Sequence, residues 1–317
     1  MPKKNKKTGS HSLRVGRRSL RLTALGRTLY PKSGYTKYNV VDYYRRIARH
    51  MLPYTKGRPL VLHRFAHGIA DKSFYQKDAS AYFPSWIPRV RVLKKGGGST
   101  NYLICNEAAT LVYLANQLTL TFHTWQSQAT KLNYPDKLIF DFDPPPRARF
   151  ELVRWAALEC KKLLDELGLP SFVMTTGSRG LHVVVPLQPK HSFTVVRTFA
   201  KQCAELLIAR HPKKLTLEMR KADRGRRLFV DILRNTYAQI SVAPYSLRAK
   251  PGAPIATPIS WQELSRSDMN SQRYTIANIF QRLARGKNPW HNFKRKATTL
   301  TAARKQLKKI IRKNGSP

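Results

Sequence analysis

Acidic residues are scarce in this chain: 17 Asp and Glu stand against 59 Lys and Arg in 317 residues, a formal net charge of +42. A compact body at that charge repels itself unless a polyanion or salt offsets it. Phosphate backbone is the matching polyanion, and binding to it is salt-sensitive because counterions are released. An anionic membrane surface fits less well, since the basic residues run through the whole chain rather than gathering in one patch. Cysteine is also sparse. Cys105, Cys160 and Cys203 are widely separated and form no CxxC pair, which excludes a zinc ribbon or a dithiol motif and reads as small buried side chains in a reducing compartment. No run approaches the about 18 to 20 apolar residues of a membrane helix. The start, MPKKNKKTGSHSLRVGRRSLR, lacks the apolar centre and cleavage site of a secretory signal. These absences predict a cytoplasmic, nucleoid-associated protein with no membrane partner.

A hydrophobic content of 42% is enough for one large domain or two modules sharing a core. Residues 1–21 read as a disordered basic arm. A stripe of Val40, Val41, Tyr44, Ile47, Ala48, Met51 and Leu52 has helical period. RPLVLHRF reads as a strand, KKGGGSTNYLI as a glycine turn between two strands, and NEAATLVYLANQLTLTFH as a helix running into a β-prone stretch that ends on His123. From about Pro135 the pattern changes. KLIFDFDP is a strand, ELVRWAALECKKLLDELG a helix closed by Gly168, and SFVMTTG with GLHVVVPL a hairpin around a Gly-Ser-Arg-Gly turn. A helix, TVVRTFAKQCAELLIARH, and a strand, RLFVDILRN, complete a split βαβ, ferredoxin-like order. Ser260 and Glu263 spell a capping box, and residues 274–283 read as one more helix. The basic tail from Arg285 contains no acid. Leu300, Leu307, Ile310 and Ile311 fall on one helical side there, suited to docking or partner binding. Both basic ends are expected to add DNA affinity.

In so basic a chain, acids set among apolar residues stand out. Asp141 and Asp143 share one face of a strand, about 6.5 to 7 Å apart. Their mutual repulsion is relieved by a divalent ion. Asp231, in LFVDIL, alternates onto the face carrying Phe229 and Leu233 and adds a third carboxylate. Three hard oxygen donors favour magnesium or manganese over zinc. The TTGSRGLHVVV hairpin supplies the complement: glycines admit a close phosphate, Ser178 and the turn amides donate, Arg179 pairs with charge, and His182 lies near the turn.

Taken in order, IFDFDP, TTGSRGLHVVVPL and LFVDILRN resemble the three motifs of the polymerase domain of bacterial ligase D, in the archaeo-eukaryotic primase superfamily. YTKYNVVDYYRRIARHMLP, GRPLVLHRF, SFYQKD and VAPYSLRAKPGAPIATPISWQEL are similarly close, so the resemblance runs from about Leu22 to Ala284. It implies an α+β, primase-type fold. An N-terminal mixed α/β DNA-binding module (22–134) would precede a ferredoxin-like or RRM-like catalytic module (135–284), with a partly helical basic tail (285–317).

The same resemblance implies a template-directed nucleotidyltransferase of non-homologous end joining that prefers ribonucleotides. Asp141, Asp143 and Asp231 would hold two Mn2+ or Mg2+ ions. His123, Thr176, Ser178, Arg179, His182, Arg234, Asn235 and Arg248 would surround the NTP or dNTP. Arg27 and Lys37 match positions that bind the 5′-phosphate of gapped or overhanging DNA, and Phe74 and Tyr75, with Lys77, match a template-stacking pair. Thr176 replaces a common serine, Arg27 and Arg179 replace lysines, and Tyr75 replaces a phenylalanine. The resemblance also implies partnership with Ku and a ligase; no ligase or nuclease motif is seen, so the ligase is expected on a separate polypeptide. A primase and a catalytically silent DNA-end-binding protein are the rival readings.

Overall fold

The computed structural model describes residues 11–94, 96–286 and 288–313. The chain enters as a hairpin of β1 (His11–Val15) and β2 (Arg18–Leu22), turned at Gly16 with φ +59°. This corrects the expected disordered arm from His11 onward; residues 1–10 lie outside the described residues. Val15, Leu20 and Leu22 are buried on the inner face, an alternation masked in the sequence by the arginines set between them.

A short ribbon, β3 (Thr28–Tyr30) with β4 (Tyr35–Thr36), delivers the chain to α1 (Lys37–Thr55). The Asn39 side chain accepts the Thr36 N–H at 2.8 Å, satisfying a donor that a helix start leaves free. Val40, Val41, Tyr44, Ile47, Ala48 and Met51 are buried along α1, as the stripe predicts. There follow β5 (Leu60–Arg64), β6 (Phe74–Gln76), a hairpin of β7 (Arg89–Leu93) and β8 (Ser99–Leu103), α2 (Ala108–Asn116) and β9 (Thr119–Trp125), which is buried throughout.

The second half brings β10 (Lys137–Asp143), α3 (Phe150–Glu166), β11 (Phe172–Thr175), β12 (Leu181–Pro186), α4 (Phe193–Arg210), β13 (Leu215–Thr216) and β14 (Leu228–Asp231). It closes with β15 (Ile240–Val242), β16 (Pro258–Ile259), α5 (Trp261–Leu264), α6 (Ile279–Arg285) and α7 (Thr301–Lys313). The larger sheet runs β13-β14-β10-β12-β11-β16. Strands β14, β10, β12 and β11 pair antiparallel with one another, in the ferredoxin-like arrangement the element order predicts. Phe140, Phe142, Leu181, Val183 and Val230 are buried on one face, and α3 and α4 pack on this sheet. Strand alternation leaves Asp141, His182 and Asp231 on the other face.

The smaller sheet runs β15-β9-β5-β6. It therefore takes a strand from beyond residue 135, and one hydrophobic cluster spans both halves of the chain. Two local expectations change and one is narrowed. The strand in RLFVDILRN stops at Asp231, and Leu233–Asn235 turn as a 3-10 helix. The helix expected at 274–283 begins only at Ile279: the Asn278 side chain accepts from Thr275 N–H and donates to the Arg273 carbonyl, holding a turn instead. The tail docks: Leu300, Ala303 and Leu307 are buried and Thr298 bridges to Leu187. Among the described residues no helix is long and apolar enough to cross a membrane.

Candidate active site

Sheet register builds the site. Asp141 on β10 lies directly opposite Asp231 on β14 and opposite His182 on β12, and Asp143 lies opposite Phe229. The triad thus sits at the ends of two neighbouring strands, on the face away from the aromatic core. Leu233 N–H donates to Asp231 Oδ1 at 2.7 Å, so the turn that ends β14 also aims its last carboxylate.

Each acid meets a cation. Asp141 Oδ2 is 3.3 Å from Arg234 Nε and 3.5 Å from His182 Nε2. Asp143 is 3.0 Å from Arg179 Nη2 through one oxygen and 3.6 Å from Arg224 Nη1 through the other. Burial alone would raise the Asp141 carboxyl, but His182 and Arg234 outweigh it and bring it down to about 2. Asp231 goes the other way, raised by burial and then by the charge of Asp141. Two carboxylates held face to face, one of them resisting ionisation, make a donor set that a hard dication suits. Among the described residues no three His, Cys, Asp or Glu side chains already converge as a cage; arginines serve as the counter-charges.

The opposite wall is the Gly-Ser-Arg-Gly turn. Thr176 Oγ1 donates to Gly180 O at 3.0 Å and lies 3.3 Å from both the Ser178 and Gly180 amides. Ser271 Oγ donates to the same Gly180 carbonyl at 2.7 Å, and Arg248 Nη1 to Thr176 O at 2.9 Å. Two glycines are obligatory. Gly177 has φ +64°, and a Cβ at Gly180 would stand 2.1 Å from the Phe142 carbonyl oxygen. The turn is thereby pressed onto the end of β10, beside Asp141 and Asp143.

One cavity of about 750 Å³ gathers most of the predicted residues: the three aspartates, His123, Thr176, Ser178, Arg179, His182, Arg234, Arg248, Tyr75 and Lys77. Burial and the positive charges of Arg248, His63 and Arg234 depress the His123 imidazole well below its ordinary value. Its Nδ1, like that of His182, is buried without a hydrogen-bond partner. Tyr75 is exposed and stacks on His63 at 4.1 Å with 14° between the rings. Phe74, also exposed, lies outside the cavity lining under the Arg64 guanidinium.

Asn235 is placed differently from the expectation that it meets phosphate. It is buried, and its side chain accepts from Ile139 N–H and donates to Ile139 O, both at 2.8 Å. Because β14 ends at Asp231, this amide replaces the next strand pairing along β10 and fixes the strand that bears Asp141. Arg27 and Lys37 form a separate place at the start of α1. Lys37 is buried, with Nζ 2.6 Å from Thr23 O, and Arg27 Nη1 donates to Ala66 O at 2.8 Å. Burial, then the Arg27 charge, lower the Lys37 amine to about 8.

Sequence reasoning missed Arg224, which lies 3.9 Å over the Phe229 ring while reaching Asp143, and His63. Arg224 sits in the run KADRGRR, where nothing marks one arginine from the next. His63 was legible only as a strand histidine.

Oxygen donors for hard cations on one wall and phosphate donors on the other are what transfer of a nucleotide to a hydroxyl demands. Fold and site together define a DNA-directed nucleotidyltransferase of the primase–polymerase class. Residues 36–290 match the family described as LigD, primase-polymerase domain, and the chain belongs to that family, whose polymerase domains are metal-dependent. It is 33% identical over 257 residues to the multifunctional non-homologous end joining protein LigD of Mycolicibacterium smegmatis, covering 80% of this chain and 34% of that protein. It is 30% identical over 293 residues to the bifunctional LigD of Bacillus subtilis, covering 92% and 47%. The chain thus spans between a third and a half of the length of these relatives. The polymerase domain of Mycobacterium tuberculosis ligase D, solved in complex with DNA, superposes with a TM-score of 0.82 at 29% identity, over 88% of this chain and 99% of that one.

Proposed function

We propose that this protein fills or extends DNA ends during non-homologous end joining, adding nucleotides to a primer 3′-hydroxyl as a template directs. The observation that carries the reading is the ladder Asp231–Asp141–His182 facing the stapled turn of Thr176 to Gly180. Asp141, Asp143 and Asp231 are the residues to hold two Mn2+ or Mg2+ ions, which when bound supply activation of the hydroxyl and neutralisation of the triphosphate. The chain's own groups do the positioning. Ser178, the turn amides and Arg179 cradle phosphate oxygens, and Arg234 and Arg248 add fixed guanidinium forks behind them. His123, kept neutral, offers a ring nitrogen to the sugar, which supports a preference for ribonucleotides. Thr176 acts through the turn rather than on the nucleotide, since its hydroxyl is already engaged.

DNA is held by two further features. The exposed rings of Phe74 and Tyr75, with Lys77, stack on template bases whatever their identity. Arg27 and Lys37 take the 5′-phosphate across a gap, an arrangement supported by two cations at a helix start, where backbone N–H groups also face an anion. Ku and a DNA ligase activity are the proposed partners, in the nucleoid. The test is primer extension on 5′-phosphorylated gapped DNA with Mn2+, for wild type, Asp141→Ala and Asp231→Ala. Extension that survives both substitutions sinks the assignment. Indifference to removal of the 5′-phosphate would favour a primase.

A further inference from the structure

Helix α7 lies beyond the residues matched to the family, and its charge pattern differs from that of the other long helices. In α1, Asp42 pairs with Arg45 and Arg46; in α3, Asp165 pairs with Lys161 and Glu159 with Lys162; in α4, Glu205 pairs with Lys201. This interleaving is how a solvated helix face is normally made stable. Helix α7 carries Arg304, Lys305, Lys308, Lys309, Arg312 and Lys313, all exposed, and the sequence holds no acid after Asp268. Among the described residues none of the six makes an ion pair. Arg304–Lys308, Lys305–Lys309, Lys308–Arg312 and Lys309–Lys313 are instead like-charged neighbours at i,i+4, a spacing at which repulsion weakens a helix.

The helix is nonetheless fixed in place. Leu300, Ala303 and Leu307 are buried, α7 packs on α4, and Gln188 N–H donates to Thr298 O at 2.9 Å alongside the Leu187–Thr298 bridge. The cations therefore form a rigid ridge about 15 Å long, at the helical rise of about 1.5 Å per residue. None of them lines the cavity that holds the three aspartates. Double-stranded DNA presents one negative charge per about 1.7 Å of its axis, denser than the ridge's one cation per about 2.5 Å, so it can pair every cation and relieve their mutual repulsion.

We infer that the outer face of α7, from Arg304 to Lys313, docks double-stranded DNA on the helical side of the catalytic sheet, apart from the segment held in the active-site cavity. The ridge binds backbone without reading sequence, so one molecule grips duplex at two places.

The test uses the full chain and a blunt duplex with 5′-hydroxyl ends, which offers nothing to Arg27 and Lys37. Replacing Arg304, Lys305, Lys308 and Lys309 by Gln should lower the slope of log K against log salt by about 3 to 4, at about 0.9 for each phosphate no longer neutralised. Lys308→Gln with Lys309→Gln should lower it by about half as much, which guards against a fold defect in the larger variant. Melting temperature should hold or rise, and extension at saturating gapped DNA should not change. An unchanged slope overturns the inference. So does a loss seen with single-stranded RNA or phosphatidylserine vesicles but not with duplex DNA. Failure of the wild type to extend, with the slope lowered in the variants as expected, would count against the polymerase reading instead.

Discussion

Asp141 and Asp231 face each other across antiparallel strands, and their surroundings push them in opposite directions: Asp141 down to about 2, Asp231 up from its ordinary value. A depressed carboxyl contributes stability above its unfolded pKa that is lost as pH falls through the folded value. A raised carboxyl costs stability once it is forced to ionise. At neutral pH, Asp231→Asn should therefore raise the melting temperature, because Asn keeps the acceptor for Leu233 N–H and drops the repulsion. Asp141→Asn should lower it, leaving Arg234 and His182 without their anion. Both should reduce extension by at least about 100-fold, the scale of losing one preorganised charged group. Calorimetry beside a primer-extension assay checks the pair, and melting shifts of the same sign would refute the argument.

Asn235 is a structural clamp on the strand that carries the acids. Asn235→Ala strands two backbone groups of Ile139, each costing about 1 to 3 kcal/mol when left unsatisfied. Urea denaturation should show a loss of about 2 to 6 kcal/mol. Extension below the new transition should lose kcat while the KM for nucleotide stays near wild type. A KM effect without loss of stability would return Asn235 to the nucleotide.

Lys37 gives the 5′-phosphate site a pH limit. With its amine lowered to about 8 by burial and by Arg27, the free protein carries that charge below pH 8 and sheds it above. The advantage of 5′-phosphorylated over 5′-hydroxyl gaps should be full near pH 7 and decline above about pH 8, until the amine is neutral. Lys37→Met should abolish the advantage at every pH. An advantage that is flat from pH 7 to pH 10 in the wild type would remove Lys37 from this role.

Gly180 sets how closely the phosphate turn approaches the acids. Gly180→Ala places a methyl against the Phe142 carbonyl, a clash with backbone that no rotamer relieves. Stability should fall by about 1 to 3 kcal/mol, as overpacking does, and affinity for nucleotide measured by fluorescence anisotropy should fall at least about tenfold, the equivalent of about 1.4 kcal/mol. Gly225→Ala, in open space but, unlike Gly180, at positive φ, is the comparison: backbone strain should weaken stability and leave nucleotide affinity alone.

Much of the site was legible because acids are rare in this chain and strand alternation is strict. Asp141, Asp143 and Asp231 stood out by type, and period two put the first two on one side; that Asp231 lies across from Asp141 is set by the register of β14 on β10. Where the reading slipped, a tertiary partner decided the outcome. Asn235 follows Arg234 in a strand-like string, yet the turn at Leu233 swings its amide onto Ile139. Arg224 acquires a role only because Phe229 and Asp143 lie beside it. The hairpin of His11–Leu22 hid its apolar residues among arginines, and α7 showed its apolar side but not what that side would rest on.

Strand β15, which follows the third carboxylate in sequence, is laced into the smaller sheet through Val242 opposite His123. The wall that offers His123 and the wall that offers the aspartates are thus sewn together by a few residues of chain. Among the described residues the two walls also share one hydrophobic cluster, so the distance between them is set by the fold. A ligand that touches both walls therefore meets a spacing set before it arrives, and little of its binding energy goes into bringing the walls together.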